Sequence, residues 1–309
     1  MKSLIRSVNN INNDNKSGSI SLLNEVIVAA EEFYVRNKDE NINLVNNILI
    51  DQLYKVYKQH SQLTSIFHFI NELFKFLDLS ITELKSSEDA ICFIKEYKEV
   101  WSSIDKLLYN NLVTIFDIHD KKVLLHSNSS TIQMLFDEFK NNNIAVQVFQ
   151  TVSHPAKEGL IQANYLADNG FDVTLIEDSA IGTIIENVNM IFLGADAVFN
   201  DYFINKTGSK AIAITGKYNA VPVFVFADSR KFFNEKNANM DIINKFQKIE
   251  NHSADEILNS IKTKMKVENS YFEKIPNTLV SRFINEKGVF TGKNIANISN
   301  QFSVSKLLI

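Results

Sequence analysis

The sequence predicts an α/β protein in which a helical N-terminal domain precedes a doubly wound parallel sheet. In the first third of the chain, apolar residues recur at intervals of three and four, which is typical of amphipathic helices. After about residue 112 the pattern changes to short β-branched apolar runs that alternate with helical stretches. Buried parallel strands have this composition because helices cover both faces of their sheet. The predicted domains are 1–115, all helical, and 116–309, a Rossmann-like α/β domain for ligand binding and dimerisation.

Three apolar stripes support the helical domain, and almost no glycine or proline interrupts them. Gly18 precedes the first long helix, where free backbone N–H groups could bind an anion. From periodicity alone, an ordinary N-cap turn is the favoured explanation for Gly18. The stripes are Leu22, Val26, Ala30 and Phe33; Leu63, Phe67, Ile70, Phe74 and Leu77; and Ile91, Ile94, Trp101, Ile104 and Leu108.

Six runs are predicted as strands of the α/β domain, with helices between several of them. The strands are Thr114–Ile118, Lys122–Ser127, Ile144–Gln150, Asp172–Asp178, Met190–Asp196 and Val221–Asp228, and the helices are Thr131–Asn141, Lys157–Asn169 and Lys206–Tyr218.

Composition excludes several classes of function. The 309 residues, 45% of them hydrophobic, can bury a sizeable core. With 32 basic and 36 acidic residues, the net charge of -4 gives no basic surface for nucleic acid. The lone Cys92 excludes an internal disulfide and a cysteine-based metal cluster. We expect no metal and no cofactor.

The sequence also predicts a cytoplasmic protein. The first residues, MKSLIRSVNNINNDNK, lack the continuous apolar region of a secretory signal. No apolar run approaches the ~18 residues that a membrane-spanning helix needs.

Polar residues follow the predicted strands, where an open parallel sheet binds its ligands. Hydroxyl and N–H groups at a helix start suit a phosphate or a sugar hydroxyl. Helix capping would explain one of these residues, but hardly four in a row. The first cluster is Ser127, Asn128, Ser129 and Ser130, and the second is Ser153 and His154.

Asp196 is the sharpest single candidate. It ends a very apolar strand beside Gly194 and Ala195, so its carboxylate is expected to be partly desolvated and able to accept a proton or bind a hydroxyl. Asn205 and Lys206 precede Gly208 as a possible anion clamp. Asp178 is either a ligand-binding residue or a helix cap.

Together these segments resemble one family. It groups the alpha, beta and delta regulatory subunits of translation initiation factor 2B, their archaeal relatives, and the isomerases of methylthioribose-1-phosphate and ribose-1,5-bisphosphate. SGSISLLNEVIVAAEEF resembles the N-terminal helix entry of the family, and VSHPAKEG its "ESRPxxEG" loop. DVTLIEDSAIG, GADAVF, INKTGS and VPVFVFADSRKF are similar to "pVTLIxDSAvG", "GADAVf", "iNKxGT" and "vPfyVxAesyKF".

Departures from the isomerase pattern bear on function. Ser127 stands where the isomerases have a catalytic cysteine, and serine holds its proton far more tightly than a thiol of pKa ~8.5. His154 replaces the arginine that would meet a phosphate, and Val152 replaces the preceding glutamate. The partner carboxylate of the isomerases, Asp196, is present. The loop from Asp196 to Asn205 is one residue shorter than usual and lacks its glycine.

Three interpretations stay open. The favoured one is a non-catalytic regulatory or binding protein with a pocket for a sugar phosphate or nucleoside monophosphate. The second is a divergent aldose–ketose isomerase in which Asp196 moves the proton and Ser127 acts on the sugar oxygen. The third is a structural subunit that has lost its pocket. The resemblance also implies a homodimer or higher oligomer, with related subunits as further partners.

Overall fold

The computed structural model describes residues 2–14, 19–60, 63–79, 86–236, 244, 252–257 and 265–308. These residues fall into two compact units. The first lies within Met1–Ser103, Glu235–Phe246 and Phe302–Ile309, and the second lies within Ile104–Asn234 and Gln247–Gln301.

The described part of the first unit is built on five long helices. Its core forms where their apolar stripes meet, and Val26 and Ala30 of the first predicted stripe are fully buried there. Local polar side chains fix two of the helix starts: Asn41 accepts the N–H groups of Asn43 and Leu44, and Ser86 forms a capping box with Asp89. The helices are α1 (Lys2–Asn13), α2 (Ser19–Arg36), α3 (Ile42–Gln59), α4 (Thr64–Leu79) and α5 (Ser87–Trp101).

The second unit alternates strands and helices as the sequence predicts. Its elements are α6 (Ile104–Val113), β1 (Lys121–Leu125), α7 (Ser130–Asn141), β2 (Val146–Thr151), α8 (Gly159–Asp168), β3 (Asp172–Ile176), α9 (Ile181–Ile184), β4 (Met190–Gly194), β5 (Ala197–Val198), β6 (Tyr202–Lys206), α10 (Ser209–Tyr218), β7 (Val223–Phe226), β8 (Phe272–Pro276), β9 (Arg282–Asn285), β10 (Gly288–Phe290) and α11 (Ile295–Ser299).

Seven of these strands form the main sheet in the order β10-β9-β7-β4-β1-β2-β3. Neighbouring strands are parallel except at one edge of the sheet, where β9 and β10 are antiparallel. The chain leaves β1 toward β2 on one side and later returns to β4 on the other side of β1. This change of direction is the switch point at which doubly wound sheets bind ligands. The predicted fold class is confirmed.

A smaller antiparallel sheet, β5-β6-β8, lies beside the main sheet. It begins where the chain leaves β4, so it carries the residues that follow Asp196. Its strand β6 ends at Lys206, and β8 pairs with it from Lys206↔Phe272 to Tyr202↔Pro276. The second sheet was not predicted, since Lys206 was assigned to the start of a helix.

The predicted strand at Thr114–Ile118 is wrong. The segment is a turn that closes α6: Thr114 donates its N–H to Asn110 O and its hydroxyl to Asn111 O, and Ile115 N donates to Leu112 O. Only Ile118 is buried within it. Hydrogen bonds back to the helix therefore satisfy the backbone, although the residues themselves favour strands.

The predicted domain division at residue 115 remains a prediction. Helix α6, which the sequence analysis placed in the helical domain, packs on α7, β9 and β10 and belongs to the second compact unit.

Gly159 lies where α8 passes so close to β2 that no side chain fits. A Cβ atom there would lie 1.9 Å from Thr151 O and 2.9 Å from Val152 O, and both are backbone atoms that cannot turn away. We expect Gly159→Ala to lower the free energy of unfolding by about 3 kcal/mol, as overpacking does. Urea denaturation at pH 7 measures the change.

The control is Gly182→Ala in α9, where an added Cβ has no neighbour within 4 Å among the described atoms. There, alanine should stabilise the helix by about 0.5–1 kcal/mol. Equal stability of the two variants would contradict the close approach of α8.

Candidate functional site

The candidate site lies at the carboxyl ends of β1 and β4, on the two sides of the switch point. His126 follows β1 directly, and Asp196 comes two residues after β4. Three further segments complete the surroundings: the loop between β2 and α8, the end of β6, and the segment that leads into β8.

His126 is a buried residue that connects three segments of the site through hydrogen bonds of its ring. The ring is 2% exposed, and its Nε2 donates to Thr207 O at 2.9 Å because a carbonyl can only accept. Nδ1 of the neutral ring then accepts from Thr151 Oγ1 at 2.7 Å. Burial lowers the pKa of His126, while the Thr207 carbonyl opposes that shift. With both nitrogens committed, His126 ties β1 to β2 and to the start of α10.

Gly208 is required by this arrangement. Its φ of 108° is left-handed, and a Cβ there would lie 2.8 Å from His126 Cε1. The glycine therefore lets the start of α10 close over the imidazole.

Ser127 has a left-handed backbone, with φ 69°. Its N–H donates to Ser153 Oγ at 2.7 Å, and its hydroxyl donates to Glu158 Oε1 at 3.1 Å. A non-glycine residue in this conformation persists only where neighbours hold it, and such residues concentrate at functional sites. Ser153, with φ 65°, is a second one.

Glu158 and Lys206 form an ion pair beneath Ser127. Lys206 Nζ lies 2.7 Å from Glu158 Oε1, at angles outside hydrogen-bonding geometry, and the side chains are 2% and 22% exposed. The ammonium also lies 4.2 Å from the centre of the Tyr271 ring. Within the described residues, Lys206 Nζ and Glu158 Oε2 make no hydrogen bond.

Sequence reasoning missed Glu158 and Tyr271. Glu158 does belong to the VSHPAKEG segment, so the loop motif itself was the available signal. Tyr271 gave none, because it follows a long segment without recognised motifs. Its hydroxyl donates to Glu256 Oε2 at 2.6 Å, and His252 stacks on its ring with centroids 3.6 Å apart. Burial and the Glu256 contact raise the pKa of Tyr271 to about 12.

Asp196 is exposed, although neighbouring protein removes part of the water around its carboxyl. The loss of bulk water raises its pKa, whereas the nearby Lys231 ammonium opposes that shift. Lys231 itself donates to Ala195 O at 2.7 Å. The charges of Glu158 and Lys206 also act on Asp196, so these three groups share one electrostatic environment.

Asp178 anchors the loop after β2. Its two carboxylate oxygens accept the N–H groups of Ser153 and His154, both at 2.7 Å. The His154 side chain is 46% exposed and lies with Nε2 3.3 Å from Glu177 Oε2. This position therefore presents an imidazole engaged with a carboxylate, where the family motif carries arginine.

The residues after Ser127 form the start of α7. Asn128 is exposed and accepts from Gln133 Nε2, while Ser129 caps the helix by accepting Ile132 N. Ser130 is the first helical residue. Among the described residues, no acceptor meets the N–H groups of Ser130 and Thr131, but Thr131 is buried, so the half-buried Ser130 is the residue placed to offer a donor.

The start of α10 differs, because Glu273 Oε1 already accepts Gly208 N at 2.7 Å and Lys210 N at 2.9 Å. Asn205 is buried and donates to Ser209 Oγ instead of facing outward. The expected clamp of Asn205 and Lys206 is thus divided: the asparagine braces the helix start, and the lysine pairs with Glu158.

The structure brings Ser127, Ser153, Lys206 and Asp178 into one connected cluster. Glu158 contacts Ser127 and Lys206, and Ser153 links Ser127 with Asp178. Asn128 and His154 lie at its exposed rim. Gly18 lies outside the described residues. In the parts of the chain that the structure describes, no three His, Cys, Asp or Glu side chains group as a metal site requires. Nor does any helix there combine the length and apolarity needed to cross a bilayer.

A family model described as "Initiation factor 2 subunit family" matches residues 16–292. The chain belongs to this family. Ribose 1,5-bisphosphate isomerase of Methanocaldococcus jannaschii is 32% identical over 174 residues, which are 54% of this chain and 54% of that protein. The chain thus spans about half the length of this curated relative.

Solved structures show the same fold over nearly the whole chain. The 5-methylthioribose 1-phosphate isomerase of Pyrococcus horikoshii superposes with a TM-score of 0.78 at 16% identity, covering 96% of this chain and 87% of that one. A chain of the tetrameric eIF2B-beta2-delta2 complex from C. thermophilum gives 0.67 at 12% identity, covering 97% and 94%. That chain comes from a tetramer of two beta and two delta subunits.

The raised pKa of Asp196 predicts a pH-dependent cost to stability. The native state holds this proton more tightly than the unfolded chain, so stability is lost as the pH rises from ~3.9 through the folded pKa. We expect Asp196→Asn to melt at a higher temperature than wild type at pH 7, with a difference that shrinks toward pH 4. Melting temperatures from pH 4 to 8 test this, and a difference independent of pH would refute it.

Proposed function

We propose that the chain is an initiation-factor-2B-like regulatory protein that binds a phosphorylated small molecule and does not isomerise it. The ligand class is a sugar phosphate or a nucleoside monophosphate. The observation that carries the proposal is the commitment of the Ser127 hydroxyl to Glu158, a carboxylate that is itself paired with buried Lys206.

Two replaced positions support the absence of catalysis. Ser127 has no thiol to ionise near neutral pH, and its hydroxyl donates to a carboxylate that is already paired with the Lys206 ammonium. His154 faces Glu177, so the loop offers no guanidinium fork to a phosphate. Binding remains chemically supported, since the N–H of half-buried Ser130 meets no acceptor among the described residues and Asp196 is exposed.

The isomerase alternative is favoured by one observation, the raised pKa of Asp196 at an exposed position. A carboxyl that titrates closer to neutral pH is better matched to proton transfer. In this alternative Asp196 moves the proton between the sugar carbons, while Ser127 donates to the sugar oxygen. The substrate would be of the ribose-1,5-bisphosphate or methylthioribose-1-phosphate type.

We expect wild-type protein to bind a phosphorylated ligand without turnover. In a thermal-shift screen over sugar phosphates and nucleoside monophosphates, a ligand that binds should raise the melting temperature. At about 100 times its Kd, such a ligand adds about 2.7 kcal/mol to the free energy of unfolding. Ketose formation is measured in parallel from ribose-1,5-bisphosphate and methylthioribose-1-phosphate. Asp196→Asn should weaken binding by about 1–3 kcal/mol, the value of a charged hydrogen bond.

Glu186→Gln is the matched control, since Glu186 is an exposed carboxylate that takes no part in the described cluster. Ser127→Cys restores the thiol and tests whether its absence limits activity. A melting temperature that no ligand raises would refute the binding proposal. Robust wild-type turnover that Asp196→Asn abolishes would replace it with the isomerase.

We also propose that the protein is cytoplasmic and assembles at least as a homodimer, with related subunits as further partners. Large apolar side chains of the second unit are exposed, among them Ile161 at 59% and Ile214 at 49%, and closed two-fold dimers are the commonest oligomers. Light scattering at micromolar concentration should therefore give about twice the chain mass of 35.2 kDa. A single species at the chain mass would refute this proposal.

A further inference from the structure

The loop that follows β1, residues 126–130, is held mainly by side chains of one neighbouring segment. That segment consists of β2, α8 and the loop between them. Ser127 N donates to Ser153 Oγ at 2.7 Å, and Ser127 Oγ donates to Glu158. Ser127 O accepts from Gln150 Nε2 at 3.1 Å, and Ser129 N donates to Gln162 Oε1 at 2.8 Å.

Two of these partners are glutamines with no exposed surface. Gln150 on β2 and Gln162 on α8 are both 0% exposed. Buried amides are costly unless their donors and acceptors find partners, so a wholly buried pair beneath a ligand loop calls for an explanation. The explanation lies in the direction of their hydrogen bonds.

The network fixes both amide orientations. Gln150 Nε2 faces two carbonyl oxygens, those of Ser127 and Thr151, at 3.1 Å each, so this atom must be the NH₂ group. Gln150 Oε1 can then only accept, and it accepts from Gln162 Nε2 at 3.1 Å. Gln162 Oε1 is therefore the acceptor for Ser129 N. Each amide orientation determines the next, from β2 to the start of α7.

We propose that Gln162, through Gln150, is the positioning residue that fixes the β1 loop in its ligand-binding conformation. The pair connects Ser127, whose backbone is left-handed, with Ser129, whose hydroxyl caps α7. It thereby sets the angle at which the first N–H group of α7 meets a ligand. The effect on ligand affinity rests on the proposed function, whereas the effect of Gln162 on the conformation of the β1 loop does not.

Gln162→Glu is the decisive variant because it preserves the shape of the side chain and removes one donor. An ionised carboxylate cannot donate to Gln150 Oε1, so two acceptors would then face each other. Burial raises the pKa of such a carboxyl, and its protonated form again has one donor and one acceptor. The defect should therefore be present at high pH and disappear at low pH. A general loss of packing would not reverse in this way.

The control is Gln133→Glu. Gln133 is another amide that meets the same loop, but it contacts Asn128 from the outside and is partly exposed. The measurement is hydrogen exchange at the amides of Ser127 and Ser129 by NMR, each rate divided by the wild-type rate at the same pH. Affinities for inorganic phosphate and ribose 5-phosphate are measured on the same samples at pH 5.5 and 8.

We expect Gln162→Glu to raise the exchange rate at Ser129 about tenfold at pH 8. At pH 5.5 the exchange rate at Ser129 in this variant should lie within about twofold of the wild-type rate. Affinity for whichever probe wild type binds should fall about tenfold and recover in parallel. Gln133→Glu should leave the exchange rate at Ser129 within about twofold of wild type at both pH values. Unchanged exchange at Ser129 in Gln162→Glu, or a loss equal at both pH values, would overturn the positioning role.

The two proposals fail separately. If wild type binds neither probe and no other phosphorylated ligand, the proposed function fails, and the exchange rates still decide the role of Gln162. If binding persists unchanged in Gln162→Glu while exchange rises, the loop depends on Gln162 but ligand affinity does not, and the positioning role is overturned.

Discussion

The ion pair between Glu158 and Lys206 is the interaction on which the rest of the candidate site depends. Lys206 is the last residue of β6 in the small sheet, and Glu158 directly precedes α8. Ser127, which follows β1, donates its hydroxyl to Glu158. A buried ammonium that loses its paired carboxylate leaves an uncompensated charge, which costs far more than an exposed pair gains. The relative placement of these three segments is therefore tied to one electrostatic contact.

Charge balance also limits what this site can bind. Asp178 and Glu273 occupy backbone N–H groups that would otherwise face an anion, at the loop after β2 and at the start of α10. The chain thus supplies its own anions at two of the three positions where a phosphate was conceivable. The start of α7 keeps a donor, and that is why the geometry of the loop before it matters most for a phosphorylated ligand.

Most of the main sheet could be predicted from local pattern, since buried parallel strands are uninterrupted apolar runs. The exception is instructive: Thr114–Ile118 has strand-favouring residues but turns back on α6, because its backbone finds partners there. The small sheet escaped prediction for the opposite reason. Its strand β6 carries Asn205 and Lys206, polar residues that were interpreted as the start of a helix, and its partner β8 comes far later in the sequence.

The sequence by itself determined the family, the α/β class and the set of polar residues that follow the strands, because each depends on local composition and order. Only the tertiary structure decided how those residues are used. Asp178 anchors a loop, Asn205 braces a helix start, and Lys206 pairs with Glu158. Gln150 and Gln162 lie under the β1 loop although no motif marks them. Hydrogen-bond partners and burial are properties of neighbours distant in the chain, which a linear pattern does not contain.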